Sequence, residues 1–222
     1  MKVLPTRVIK NFFRHEDLQY IKSLPFLLSE LNHATYTDPN MEFRPYHGKV
    51  VRRYLAFDDD PSYSKVMHIL REAVEKNFGS HIKIGNCHIL TAFYPYATHT
   101  DAVFWEYEIN EKHYGAYTLI IPLGTFESST IVFNETSDKT KVIEVWKQDK
   151  EIIDKIPDDF YEKYLTHDAR ENMRYLSVEK VFDWKENQCL AMSRYKFHGS
   201  DDFYGHGVPY KQAVIMWTYA AY

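Results

Sequence analysis

His88-Ile-Leu-Thr-Ala-Phe-Tyr-Pro-Tyr-Ala-Thr-His99-Thr-Asp101 is the stretch whose reading decides the fold. Its first part, as far as Tyr96, has the β-branched and aromatic make-up of a strand. In extended backbone residues i and i+2 share a face. His99 and Asp101 therefore stand on one side of whatever this segment packs against, an imidazole next to a carboxylate.

Upstream, the same extended character reaches back to Ile82, so 82–93 reads as one long strand. Downstream, Tyr117-Thr-Leu-Ile-Ile-Pro122 and Thr130-Ile-Val-Phe133 are short buried runs. Cys189-Leu-Ala-Met-Ser-Arg-Tyr-Lys-Phe197 and Gln212-Ala-Val-Ile-Met-Trp-Thr-Tyr219 read as two closing strands. Before residue 82 the period is helical. Phe12-Phe13-Arg-His-Glu-Asp-Leu18 opens an amphipathic helix with acids in its first turn, where the macrodipole favours them. A second helix begins near Ser62 or Ser64, carries Val66, Met67, Ile69, Leu70 and Val74, and stops at Phe78-Gly79.

Between the runs at 130 and 189 lies a charged, helical insertion from about Glu144 to Val181, with Pro157-Asp-Asp as a helix start. It is either a surface decoration or a lid over a substrate cavity. Helices followed by many short strands specify an α+β fold, with a double-stranded β-helix (jelly roll) core braced by N-terminal helices. One domain is expected over 1–222, with helical support in 1–80 and the core in 81–222.

Bulk properties exclude some functions. The formal net charge of −4 provides no basic field for nucleic acid. Short basic clusters at Lys49–Arg53 and Arg194–Lys196 read as solvated faces. The two cysteines, Cys87 and Cys189, sit in apolar runs without a zinc-like spacing, as buried thiols of a reducing, cytoplasmic compartment do. No secretory leader and no run of eighteen apolar residues occurs, so no membrane association is expected. The 18 Tyr, 14 Phe and 4 Trp suit an aromatic-lined cleft and an ordinary β-rich core equally well.

A bare His-x-Asp is weak evidence, since composition alone predicts roughly 0.7 such triplets in this chain. His15-Glu16-Asp17 matches it too, but lies at a helix start, where i and i+2 face different sides. The second copy has support. His198 follows a strand and precedes Gly199-Ser200, where it can stand at a barrel mouth. Two imidazoles and one carboxylate with open positions suit a non-haem Fe(II) ion. Tyr94 lies just upstream of His99 and can send its phenol into the same cavity. Lys211 opens the last strand and shares a face with Ala213, Ile215, Trp217 and Tyr219. A lysine at the mouth of an apolar face can receive a dicarboxylate tail or simply reach into water. The other histidines (33, 47, 68, 81, 88, 113, 167, 206) have no ligand-like partners at useful spacing.

With these residues assembled, the chain resembles the Fe(II)- and 2-oxoglutarate-dependent dioxygenases, in particular their prolyl-4-hydroxylase-like branch. The likeness rests on Tyr94-Pro-Tyr-Ala-Thr-His99-Thr-Asp101, on Tyr117–Gly124 and Ser128–Glu135 with serines where the family has glycines, and on Met192–His198. It covers about 82–220. It implies a hydroxylase in which His99, Asp101 and His198 hold Fe(II). It also implies that 2-oxoglutarate binds with its far carboxylate on Lys211 and the Tyr94 hydroxyl, and that O2 is consumed as succinate and CO2 leave. The family's usual anchor is an arginine. Here Lys211-Gln-Ala stands in its place, with Arg194 as the alternative. The substrate is a protein side chain, a prolyl residue for example, or a small molecule. Two other functions compete: a jelly-roll binding module without turnover, and a cupin-type non-oxidative metalloenzyme. The latter would add a glutamate ligand close to the first histidine; Glu106 and Glu108 are nearby but not at that spacing.

Overall fold

The computed structural model describes residues 2–24, 50–55, 61–102, 113–138 and 154–221. Among the described residues nine strands form two antiparallel sheets: β1 (Arg7–Ile9), β2 (Val50–Tyr54), β3 (Ile82–Ala92), β4 (His113–Pro122), β5 (Ser129–Thr136), β6 (Val178–Asp183), β7 (Cys189–Ser193), β8 (Lys196–Ser200) and β9 (Lys211–Ala221). The larger sheet has the order β1-β7-β4-β9-β3-β2, the smaller β6-β5-β8. This is the α+β jelly roll that the strand pattern called for.

The side-chain period of two sorts the core into three slabs. One face of the larger sheet sends Cys87, Ile89, Leu119, Ile121, Ala191, Val214 and Met216 toward two helices, α1 (His15–Lys22) and α2 (Pro61–Phe78). The alternate residues Leu90, Ile120, Leu190, Met192, Ala213, Ile215 and Trp217 face inward, where Val132 and Phe182 of the smaller sheet meet them. The outer face of the smaller sheet, Ile131, Phe133 and Phe197, is covered by Ile156, Leu165, Met173 and Leu176. Central strands bury both faces, so β4 is apolar almost throughout rather than alternating.

α2 begins at Pro61, whose ring is preset for a first helical position. It ends where Gly79 takes φ +88°, a left-handed conformation that L residues resist, with its N–H on Glu75 O at 2.8 Å. α1 starts at His15 rather than Phe12; both phenylalanines are buried ahead of it. Among the described residues no helix is long and apolar enough to cross a membrane.

Three differences from the sequence reading have physical causes. The run 189–197 is two strands in different sheets, not one. The chain leaves β7 at Arg194, whose N–H still bonds Ala116 O, and re-forms as β8. Burial continues through the corner although Ser193, Arg194 and Lys196 are polar, so no stretch of exposed turn residues marks it. The N-terminal region adds two strands, β1 and β2, that extend the larger sheet at its two edges. The described part of the insertion holds two short helices, α3 (Asp158–Tyr164) and α4 (Arg170–Met173), and closes as strand β6. It covers the outer face of the smaller sheet.

Candidate metal centre

After β3 ends at Ala92, the chain leaves the sheet and returns beside β8. There His99 and His198 form an isolated antiparallel bridge, His99 N–H donating to His198 O at 2.9 Å and His198 N–H to His99 O at 2.8 Å. The backbone thus makes the two imidazoles cross-strand partners, with ring centroids 4.5 Å apart. Asp101 lies two residues on. Its N–H bonds Arg194 O at 2.9 Å, and its carbonyl accepts Arg194 Nε and Nη2 at 3.2 and 3.0 Å. The β7–β8 corner therefore clamps the aspartate. His99, Asp101 and His198 each offer one ligand atom, all within 4.8 Å of one another. No other group of three His, Cys, Asp or Glu side chains meets this closely among the described residues.

The chemistry of the donor set fits a divalent cation. His99 Nδ1 lies 2.8 Å from Ala97 O and His198 Nδ1 3.1 Å from Lys196 O. A carbonyl only accepts, so in each neutral ring Nδ1 carries the proton and Nε2 presents its lone pair. Both Nε2 atoms face Asp101, at 3.8 Å from Oδ1 for His99 and 3.4 Å from Oδ2 for His198. Burial pushes the Asp101 carboxyl up. His198 and His99 when protonated, a 2.6 Å hydrogen bond from Thr118 Oγ1 and the Arg194 guanidinium outweigh it, and with the rings in that charged form the net shift is down. A buried carboxylate facing two lone pairs is an arrangement that a cation stabilises and an apolar core does not.

A second polar cluster sits on the same inner face. Lys211, 2% exposed, donates from Nζ to Ser128 Oγ at 2.8 Å and Ser200 Oγ at 2.5 Å. It lies over the Trp184 and Phe203 rings at 4.2 and 4.6 Å. Asp201 stands 3.8 Å away, itself engaged by Ser128 Oγ at 2.7 Å and Ser129 N–H at 2.6 Å. Burial pulls the Lys211 ammonium down to about 7, with Asp201 opposing the shift. Ser200 follows His198 by two residues on β8, so the lysine cluster sits about one pleat repeat, roughly 6–7 Å, from the histidine.

Of the residues singled out from sequence, the fold brings His99, Asp101 and His198 together, with Lys211 one repeat away. Tyr94 is elsewhere. It is 40% exposed and stacks on Tyr204 at 4.5 Å, while the hydroxyls on Lys211 belong to Ser128 and Ser200. β3 stops two residues before Tyr94, so strand alternation no longer aims its ring inward. Tyr96 is the ring beside His99, at 6.0 Å. Arg194 serves the Asp101 backbone. Thr118, Ser128, Ser200 and Asp201 were not read from sequence. Ser200 was within reach of the same i, i+2 rule that paired His99 with Asp101. Trp105, Glu106, Tyr107 and Glu108, and residues 144–153 of the insertion, lie outside the described residues.

No family model matches this sequence, and no curated protein does. Solved structures do match. The epimerase SnoN, in complex with Fe3+, alpha ketoglutarate and nogalamycin RO, aligns over 97% of this chain and 78% of its own, at 12% identity and TM-score 0.53. A 2OG-Fe(II) oxygenase family oxidoreductase from Burkholderia pseudomallei aligns over 97% and 84%, at 13% identity and TM-score 0.52. A prolyl hydroxylase from Trichoplax adhaerens, in complex with a hypoxia inducible factor peptide fragment, aligns over 97% and 83%, at 10% identity and TM-score 0.51. At these identities the likeness is one of fold.

Proposed function

We propose that this chain, read as one domain over 1–222, is an Fe(II)- and 2-oxoglutarate-dependent dioxygenase. The observation that carries the reading is the convergence of His99, Asp101 and His198, with both Nε2 lone pairs turned to the carboxylate, one pleat repeat from a buried lysine. His99, Asp101 and His198 would hold the iron, and the fold it shares with the 2OG-Fe(II) oxygenases adds weight. Fe(II), with 2-oxoglutarate and O2, supplies the oxidising power to hydroxylate an unactivated C–H bond, with succinate and CO2 released.

The protein's own part is positioning. The Nδ1 contacts to main-chain carbonyls fix both imidazoles in one tautomer and orientation. Thr118 and the Arg194 clamp hold the carboxylate ionised and in place. Lys211 and Ser200 receive the far carboxylate of the co-substrate, because that anion restores the charge that burial suppresses on the lysine. Leu90, Ile120, Val132 and Ile215 wall the space between the sheets and exclude water.

The substrate is a protein side chain such as a prolyl residue, or a small molecule; the acidic balance argues against nucleic acid. Two unpaired buried thiols suit the cytoplasm. Anaerobic addition of Fe(II) and 2-oxoglutarate should give a visible charge-transfer band that Asp101→Ala abolishes, and succinate release in air should separate an oxygenase from a binding module. No band from the intact protein would overturn the reading.

A further inference from the structure

The segment that presents His99 runs beside β8 without being a strand itself, joined to it by an isolated bridge. Its pairing with β8 uses the N–H and C=O of His99 and the C=O of Tyr96, which accepts Ser200 N–H at 3.0 Å, and the N–H of Thr98 has no part in it. Thr98 is buried at 8% exposure, so that donor needs a partner. It finds one in the insertion: Thr98 N–H donates to Asp168 Oδ2 at 2.7 Å. His167 Nε2 adds a second contact, 3.3 Å from Tyr96 O.

Asp168 is itself held from several sides. Its Oδ1 accepts Asn172 Nδ2 at 3.3 Å, its carbonyl accepts the Tyr161 hydroxyl at 3.0 Å, and its N–H bonds Leu165 O at 3.0 Å. Leu165 and Met173, on either side, are buried against Phe133 and Phe197 on the outer face of β5 and β8. The loop between α3 and α4 thus reaches round the sheet edge and does for Thr98 what an adjacent strand would do.

We infer that Asp168 is a positioning residue for the metal centre, setting the His99 backbone through Thr98 and coupling the insertion to ion binding. The inference rests on the metal reading proposed above. Outer partners of this kind change metal affinity by about 10–100-fold when removed, and coupling between two sites is reciprocal.

The probe is Co(II), followed by its visible absorption and by titration calorimetry on the full chain. Asp168→Ala should weaken Co(II) binding by about tenfold or more and alter the band shape. Asp168→Asn, which keeps an acceptor for Thr98, should stay within a few-fold of wild type. Arg170→Ala breaks the ion pairs to Asp154 and Asp158 in the same insertion but leaves the Thr98 bond intact, and should bind as wild type does. Hydrogen exchange on the unmodified protein is independent of any variant's folding: Co(II) should protect 158–173 as well as 96–101.

Equal affinity and spectrum in folded Asp168→Ala, an equal loss in Arg170→Ala, or protection confined to 96–101 and 196–200 would each overturn the inference while the metal reading stands. Failure of the wild-type protein to bind Co(II) would instead remove the metal reading, and this one with it.

Discussion

Lys211 is the side chain whose behaviour the site most depends on. Its folded-state value of about 7 lies below its ordinary 10.5. Between those pH values the unfolded chain holds a proton that the folded protein lacks, so stability from this group rises with pH across that window. Below about 7 both states are charged and the burial cost is present in full. Lys211→Met should therefore stabilise the ligand-free protein most near pH 6, by an amount on the order of a few kcal/mol that fades toward pH 10, as chemical denaturation at each pH would measure. Asp201 is the charged partner that opposes the shift. Binding of a dicarboxylate needs the protonated lysine. The calorimetric Kd for 2-oxoglutarate should rise by up to about tenfold per pH unit above about 7 in the wild type and stay flat in Lys211→Arg, whose guanidinium remains charged. A flat wild-type profile would mean that the tail does not sit on this ammonium.

β8 is the element that assembles the site. Five residues carry His198, the Ser200 hydroxyl on Lys211, and Gly199, which lies opposite Thr98. A Cβ at Gly199 would come 3.1 Å from Thr98 Oγ1 and 3.3 Å from Thr98 Cα, tight enough that the Thr98 segment would have to give by a few tenths of an ångström. Gly199→Ala should push the His99 segment off β8 and weaken metal binding, about tenfold by analogy with loss of an outer partner, with the helix-side core untouched. Unchanged Co(II) affinity in a folded Gly199→Ala would show that the bridge tolerates the extra carbon.

Taken across the molecule, the three proposed ligands join parts that the sheets hold separately. His198 belongs to the smaller sheet. Asp101 is fastened by Thr118 on β4 of the larger sheet and by Arg194 at the corner between the sheets. An ion bound there ties both sheets together, and it binds the folded state alone. At 100 times its Kd it should add about 2.7 kcal/mol, which for a domain of this size raises Tm on the order of 5–10 °C. Thermal melts with Co(II), and again with a chelator, measure this; identical melting with and without metal would sink it.

The elements were legible in the amino-acid order wherever one period ruled. The helix ending at Gly79, the strands at 82–92 and 211–221, and the i, i+2 partnership of His99 with Asp101 follow from local backbone geometry, which a short window of residues encodes. The corner at Arg194 was not legible, because it carries no Gly or Pro and its polar residues Ser193, Arg194 and Lys196 are buried by the packed sheets. The Ser128–Ser200–Lys211 cluster was not legible either, since its members lie far apart in the chain and meet through strand register alone. Tyr94 shows the converse: it lies two residues past the end of β3, where strand alternation no longer sets the direction of a ring, and it is 40% exposed. Residue order determined which groups could serve as ligands and on which faces they stood. Tertiary structure alone decided that His99 pairs with His198, that two serines and not a tyrosine meet the lysine, and that Asp168 accepts the Thr98 N–H, because hydrogen-bond satisfaction across sheet edges is a property of packed strands and not of neighbours along the chain.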